Sequence, residues 1–221
     1  MKQKISILLV LIFGLGMFDS TANAKKHKDQ EYWGVVSQRA EKIVKTLNIK
    51  DQEKFDRIRD MIAQQYYDLN KTYDKRDASI KTIKERTKDE EKEAAKISKL
   101  RVKTEKKIAK YHDAYIENLS GELTPEQVDA VKNGMTYSVL VHTYNGYLDM
   151  LPDLTEDQKK YIMDALVEAR EKAMDAGSSK EKHAWFGKYK GRINNYLSKE
   201  GYDLNKASKE WHERLKKEQE K

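Results

Sequence analysis

The sequence predicts an all-α fold: one helical domain of six or seven helices, with a long antiparallel hairpin packed against a C-terminal helical cluster. Three observations predict it. The chain is rich in Lys, Glu, Ala and Leu and has only two prolines in 221 residues, a composition that favours helix. Apolar residues recur every three or four positions over long stretches, which is the helical period. Helix-start signatures punctuate the second half, with Thr or Ser followed three residues later by Gln or Glu.

The first 24 residues are set apart from that fold. Lys2 and Lys4 form a positive n-region, Ile5–Phe18 is apolar but too short for a comfortable membrane span, and Ala22-Asn23-Ala24 has the small-residue pattern of a cleavage site. Together they predict a secretory signal peptide over 1–24 and a domain over 25–221. That domain is expected in the periplasm or outside the cell, away from the membrane after cleavage. The chain has no cysteine, which excludes an acylated lipoprotein, disulfides, zinc thiolates and a Cys nucleophile. The net charge is +7, with acids and bases interleaved. In an exported protein this charge suits an acidic polysaccharide better than nucleic acid, and solubility alone also explains it.

The elements follow in order. Asp29–Leu47 carries Tyr32, Val36, Arg39/Ala40, Ile43 and Leu47 at helical spacing. A second helix begins near Asp51 and keeps its period through Phe55, Ile58, Ile62, Tyr66, Leu69, Tyr73, Ile80 and Ile83. Lys84–Lys96 is almost entirely charged, and reads either as the solvated tip of a hairpin or as an exposed stretch of continuous helix. Periodicity resumes at Ile97 and runs through Leu100, Ile108, Tyr111, Tyr115 and Leu119, with a stop expected at Ser120-Gly121. Thr124-Pro125-Glu126-Gln127 then starts a short helix that Asn133-Gly134 is expected to close. Tyr137, Leu140, Val141, Tyr144, Leu148 and Leu151 fit another helix, though the Val and Thr content leaves a strand as an alternative. Thr155-Glu156-Asp157-Gln158 opens the next helix, with its end expected at Gly177. Ser178 caps the following one, which Gly201 ends, and Asp203 caps a last helix with Leu204, Trp211 and Leu215.

The richest functional stretch is His183–Tyr202. On a helix, Phe186, Tyr189, Ile193 and Leu197 form its apolar stripe, with Trp185, Arg192 and Tyr196 along one flank and His183 and Asn194 near the other. Gly187 and Gly191 lie one turn apart. A helical glycine costs about 1 kcal/mol relative to Ala, so the pair predicts close approach of another backbone or a ligand. The candidate reading is a carbohydrate surface. Trp185, Tyr189 and Tyr196 would stack on sugar rings, Arg192 and Lys190 would meet carboxylates, and Asn194, Asn195 and His183 would bond hydroxyls. The alternative is a core edge with Arg192 stacked over an aromatic ring.

Residue spacing assigns no chemistry. The five histidines form no helical metal pair, and neither a nucleophile elbow nor a Gly-rich phosphate loop occurs, so no metal, cofactor or catalytic residue is expected. Asp149, His142 and His183 stand out only because they lie in the less repetitive half. A uronate lyase needs a Tyr, His or Lys base and a cation for the carboxylate, and Lys188, Lys190, Arg192 and the tyrosines meet that description.

Two resemblances add to this reading. Leu123-Thr124-Pro125-Glu126-Gln127 and Leu154-Thr155-Glu156-Asp157-Gln158, with a looser copy at Leu47–Glu53, resemble the Leu-Thr-x-x-Gln signature of small periplasmic stress chaperones built as helical cradles. As caps they need no function. The second resemblance rests on Ala173–Ser179 and His183–Leu197, with Gly134-Met135-Thr136-Tyr137 and Tyr147-Leu148-Asp149-Met150 as a middle segment. These look like an uncharacterised family of exported bacterial proteins, labelled sugar-binding and carried by Gram-negative polysaccharide degraders, often beside pectin-degrading genes. The likeness runs from about Tyr32 to Trp211 and implies a setting, polysaccharide utilisation. Three functions follow as expectations: non-catalytic binding of acidic or pectic glycans, a helical-cradle chaperone, and a glycan-active lyase or hydrolase.

Overall fold

The computed structural model describes the backbone of residues 18–219 and the side chains of residues 29–218. Most of the expected leader therefore lies outside the described residues, and the side chains of its cleavage site are not among those described. The described residues form eight α-helices and no strand, one helix more than the upper expectation. No described helix is long and apolar enough to cross a membrane.

Helix α1, Phe18–Val44, runs into a 3-10 turn at Lys45–Leu47. Helix α2, Gln52–Arg86, is capped by Asp51, whose carboxylate accepts the Lys54 N–H at 2.6 Å. Helix α3, Glu90–Glu122, is capped by Asp89, which accepts the Lys92 N–H at 3.0 Å. The charged stretch is thus a hairpin tip. Asp89 supplies the cap, and Glu90, Glu91 and Glu93 face the positive end of the α3 dipole. No residue from Tyr73 to Lys103 is buried, so the outer hairpin holds its two helices together by the partly covered seam of Ile80, Ile83, Ile97 and Leu100.

The expected stop at Ser120-Gly121 is not a stop. Gly121 stays helical, and the Leu123 N–H bonds the Leu119 carbonyl at 2.8 Å. Leu119 and Leu123 are both buried, and that burial outweighs the glycine's weak propensity. Helix α4, Pro125–Met135, likewise passes Asn133-Gly134. Gly134 is there for contact, since a Cβ on it would lie 2.8 Å from Ile43 Cγ1 of α1. The chain reverses instead at Tyr137 and Ser138, with φ of 58° and 53°. Two successive non-glycine residues in the left-handed region are uncommon and costly.

Helix α5, Val139–Met150, resolves the helix-or-strand alternative as helix. Helix α6, Glu156–Met174, ends earlier than expected, and Gly177 lies in the connection to α7, Ser179–Lys199. A Cβ at Gly177 would sit 2.6 Å from Tyr73 Cδ2, so the connection is pressed onto the α2 ring. Helix α8, Leu204–Gln219, closes the chain. Both Thr-x-x-Gln segments are true capping boxes. Thr124 and Thr155 accept the N–H groups of Gln127 and Gln158, each at 3.3 Å, and the glutamine side chains bond back at 3.2 and 3.0 Å.

Two clusters of buried side chains hold these helices. One joins α1, α2, the C-terminal half of α3 and α4 through Val36, Ile62, Leu119, Val131 and Met135. The other joins α5, α6 and α7 through Leu140, Ile162, Leu166, Phe186 and Ile193, with Leu204 of α8 against it. Met174 of α6 belongs to the first cluster, so α6 reaches both. Arg170 reinforces that junction. It is buried and donates to Asn133 Oδ1 at 3.0 Å, Asp129 Oδ1 at 2.8 Å and Glu171 Oε1 at 3.2 Å.

Candidate functional site

Helix α7 divides the predicted sugar-binding residues among three surroundings. Trp185, Tyr189, Arg192 and Tyr196 do share one edge, facing α6. There the Tyr189 hydroxyl donates to Glu168 Oε1 at 2.6 Å, and Arg192 Nη1 donates to Glu168 Oε2 at 3.0 Å. The hydrogen bond from Tyr189, helped by Arg192, holds Glu168 below the usual carboxylate range. The Arg192 guanidinium lies 5.8 Å from the centres of both the Tyr161 and Tyr189 rings, and Tyr161 stacks on Tyr196 at 3.9 Å. Arg192 thus adopts the stacked geometry of the packing alternative.

Asn194 points the other way and accepts the Tyr147 hydroxyl at 2.6 Å. Lys190 and Asn195 are exposed. Gly187 and Gly191 border open space, with nothing within 4 Å of a Cβ built on either, so the expected close approach of a backbone does not occur. His183 is exposed near the start of α7, where its Nδ1–H donates to the Ser179 carbonyl at 2.8 Å. His142 and Asp149 lie exposed on α5.

A better-formed site opens beside His183. A cleft of about 610 Å³ lies among α1, α2, the reversal after α4 and the start of α7. Three cations line it, Arg39, Lys42 and Lys182, and no carboxylate does. In a chain with 37 Asp and Glu residues, a lining of three cations without a carboxylate favours an anion. Tyr32, Tyr66 and Tyr137 add aromatic surface, and Ser178 and Ser179 bring the α7 N-terminus to the wall. The left-handed turn holds Tyr137 at the rim, where the residue is 50% exposed and the His183 ring stacks on its ring at 5.4 Å.

Lys182 is the unusual member. It is only 6% exposed, and its Nζ donates to the Met174 carbonyl at 2.9 Å. Burial pushes its pKa down to about 8; the nearby Asp175 carboxylate opposes the shift and Arg39 adds to it. The ammonium lies 5.7 Å from the Tyr66 ring centre. Burial in turn pushes the Tyr66 phenol well up, and its hydroxyl has no hydrogen-bond partner among the described residues. The field of Arg39 reaches Tyr32, Tyr66 and Lys182, so these groups form one electrostatic unit.

A second cleft of about 630 Å³ lies across the α6–α7 connection, with His112, Asp175, Tyr73 and Trp185 among its lining residues. His112 Nδ1 and Asp175 Oδ2 are 2.7 Å apart. That hydrogen bond raises the His112 pKa against the effect of burial, with the charges of Asp175 and Glu171 assisting. Among the described residues, no group of three or more His, Cys, Asp or Glu is arranged to hold a metal ion.

Sequence periodicity passed over Lys42, Lys182 and the role of Arg39, because each looks like one more cation on a helix in a Lys-rich chain. The usable signals were Gly134–Tyr137 and Ala176–Ser179, which carry the second resemblance and meet at the cleft.

Residues 34–217 match the family described as Protein of unknown function (DUF3826). The chain belongs to the DUF3826 family. The match to DUF3826 covers the residues that line the two clefts with the exception of Tyr32. No curated protein matches the chain in sequence.

Proposed function

We propose that this protein binds acidic oligosaccharides in the cleft between α1, α2 and the start of α7, and that it does so outside the cytoplasm after loss of residues 1–24. The observation that carries this reading is the lining itself: Arg39, Lys42 and Lys182 with no carboxylate. Such a lining favours an anion and repels none of its charge. The exposed Tyr137 ring backed by His183 supplies a flat apolar face at the rim, which suits the C–H face of a sugar. Ser178, Ser179, Asn70 and Asn133 place hydroxyl and amide groups around the same space. The Trp185 edge of α7 is a distinct surface, and there Tyr189 and Arg192 are already engaged by Glu168.

The test is calorimetric titration with oligogalacturonides and, in parallel, neutral oligosaccharides of matched length. Binding is expected for the acidic series alone. A hydrogen bond to a charged group contributes about 1.5–3 kcal/mol, so Arg39→Ala and Lys42→Ala are each expected to weaken affinity about tenfold or more. Trp185→Ala is expected to leave it unchanged. Equal binding of neutral and acidic ligands, or indifference to both cation replacements, would overturn the reading.

A further inference from the structure

We propose that the cleft cleaves its glycan by β-elimination at a uronate residue, with Lys182 as base, Tyr66 as proton donor and Arg39 as the cation facing the uronate carboxylate. This rests on the acidic-glycan reading above and adds a reaction to it. Three features of the cleft point to it. Lys182 lines the cleft, and its amine has a single neutral acceptor, the Met174 carbonyl, and no hydrogen-bonded carboxylate. A neutral amine satisfies that carbonyl with one N–H and keeps its lone pair free. The Tyr66 phenol lies in the same cleft, 5.7 Å from that nitrogen to the ring centre, with no described residue bonding its hydroxyl. Arg39 has no ion-pair partner among the described residues, and its field reaches both groups.

The charged groups that face Lys182 are Asp175 from the α6–α7 connection and Arg39 from α1. Asp175 is itself engaged by His112 at 2.7 Å. Burial leaves a substantial neutral fraction of the amine at mildly alkaline pH, since its pKa is about 8. The same burial keeps the Tyr66 phenol protonated. One group is therefore poised to accept a proton and the other to give one, the division of roles that acid–base catalysis requires.

The step balances within these groups. The C5 proton of the uronate, acidified by its adjacent carboxylate, goes to the Lys182 nitrogen. Arg39 stabilises the negative charge that grows on the carboxylate. The C5–H electron pair becomes the C4=C5 double bond, and the C4–O4 bond breaks. The departing oxygen takes that bond's electrons and the Tyr66 proton. The products are an unsaturated uronate end and a free hydroxyl. No water, oxidant or cofactor is consumed, and return of a proton from the Lys182 ammonium to the Tyr66 phenolate restores the site.

The experiment follows ultraviolet absorbance of the unsaturated uronate on mixing the protein with polygalacturonate, alginate or hyaluronate, with binding of the same polymers measured by affinity electrophoresis. Product is expected from at least one polymer, with a rate that rises as pH passes through about 8. Lys182→Met and Tyr66→Phe are each expected to lower kcat roughly 10²-fold or more, with the affinity of Tyr66→Phe changed only a few-fold. Lys182→Arg keeps a cation but no usable base, and is expected to be equally inactive while still binding the polymer, and that retained binding separates lost chemistry from lost folding. Retarded migration of the wild type without unsaturated product would overturn the elimination and leave binding standing. Failure to bind any of the three polymers would overturn both. Product formation undiminished in Lys182→Arg would overturn the assignment of the base.

Discussion

Lys182 and Gly177 show how single residues record the tightness of the α6–α7 connection. The Lys182 pKa falls from 10.5 to about 8 on folding, which at pH 7 amounts to about 3 kcal/mol spent keeping a buried amine charged. The sign follows from proton counts. Between about 8 and 10.5 the unfolded chain holds a proton on this lysine that the folded chain has released, so stability rises with pH across that window. Relative to Lys182→Met, the wild type is therefore expected to gain up to about 3 kcal/mol between pH 7 and pH 10.5, measured by urea unfolding of both proteins at each pH. A flat difference would mean that the amine is neutral or well solvated throughout. Gly177 makes the complementary prediction. A Cβ there would meet the Tyr73 ring at 2.6 Å, and the Tyr73 hydroxyl is itself held by the Asp175 carbonyl at 2.9 Å. The ring has little freedom to move aside, so Gly177→Ala is expected to cost about 1–3 kcal/mol. Tyr73→Leu in the same chain should recover part of that loss, a coupling that a double-mutant cycle reads directly.

At the scale of the element, the caps decide where helices start more firmly than glycines decide where they stop. Asp51, Asp89, Thr124, Thr155 and Ser178 each accept a backbone N–H from the first turn they introduce. Gly121 and Gly134, by contrast, stay inside their helices. A cap satisfies a donor that no neighbour can reach, whereas a glycine only weakens a helix that buried leucines continue to hold. Thr155→Ala is accordingly expected to lower stability by about 1 kcal/mol. Gln127→Ala should lose more than Thr124→Ala, because the Gln127 amide also donates to the Leu47 carbonyl at 3.0 Å and so ties α4 to the end of α1. Denaturant midpoints of the three variants check the order. The Leu-Thr-x-x-Gln likeness to chaperones has its physical content in these caps.

At the scale of the molecule, α6 joins the two buried clusters, and Arg170 is where that junction is polar. Its guanidinium is 4% exposed and serves Asn133, Asp129 and Glu171. Glu171 also takes Lys132 at 3.0 Å and lies 3.8 Å from His112. Removing the cation leaves Glu171 short of its buried partner, so Arg170→Ala is expected to cost about 3–5 kcal/mol. Arg170→Met fills the volume, and the gap between the two variants separates packing from charge. His112 contributes a pH-dependent part of the same junction. Its pKa is raised in the fold, so its contribution is complete below the ordinary histidine value and fades as pH rises through the raised one. Its loss in His112→Gln should therefore matter more at pH 5 than at pH 8.

What the sequence determined by itself was local. The all-α class, the long periodic runs on either side of a charged segment, the capping boxes and the apolar stripe of α7 follow from periodicity and cap chemistry, which act within a few residues and stay legible in one dimension; that the charged segment is a hairpin tip and not continuous helix was decided by the structure. The candidate site was legible only in pieces: His183 and Tyr137 were in view, but as members of different segments. Only the tertiary structure brought Arg39 and Lys42 from α1, Tyr66 from α2, the Tyr137 turn and Lys182 from α7 to one cleft and kept every carboxylate out of its lining. The reason is that a lysine's charge is the same letter on any helix face. Whether it is solvated, paired or buried beside a phenol depends on which helices cross there, and that is set by contacts between residues more than a hundred positions apart.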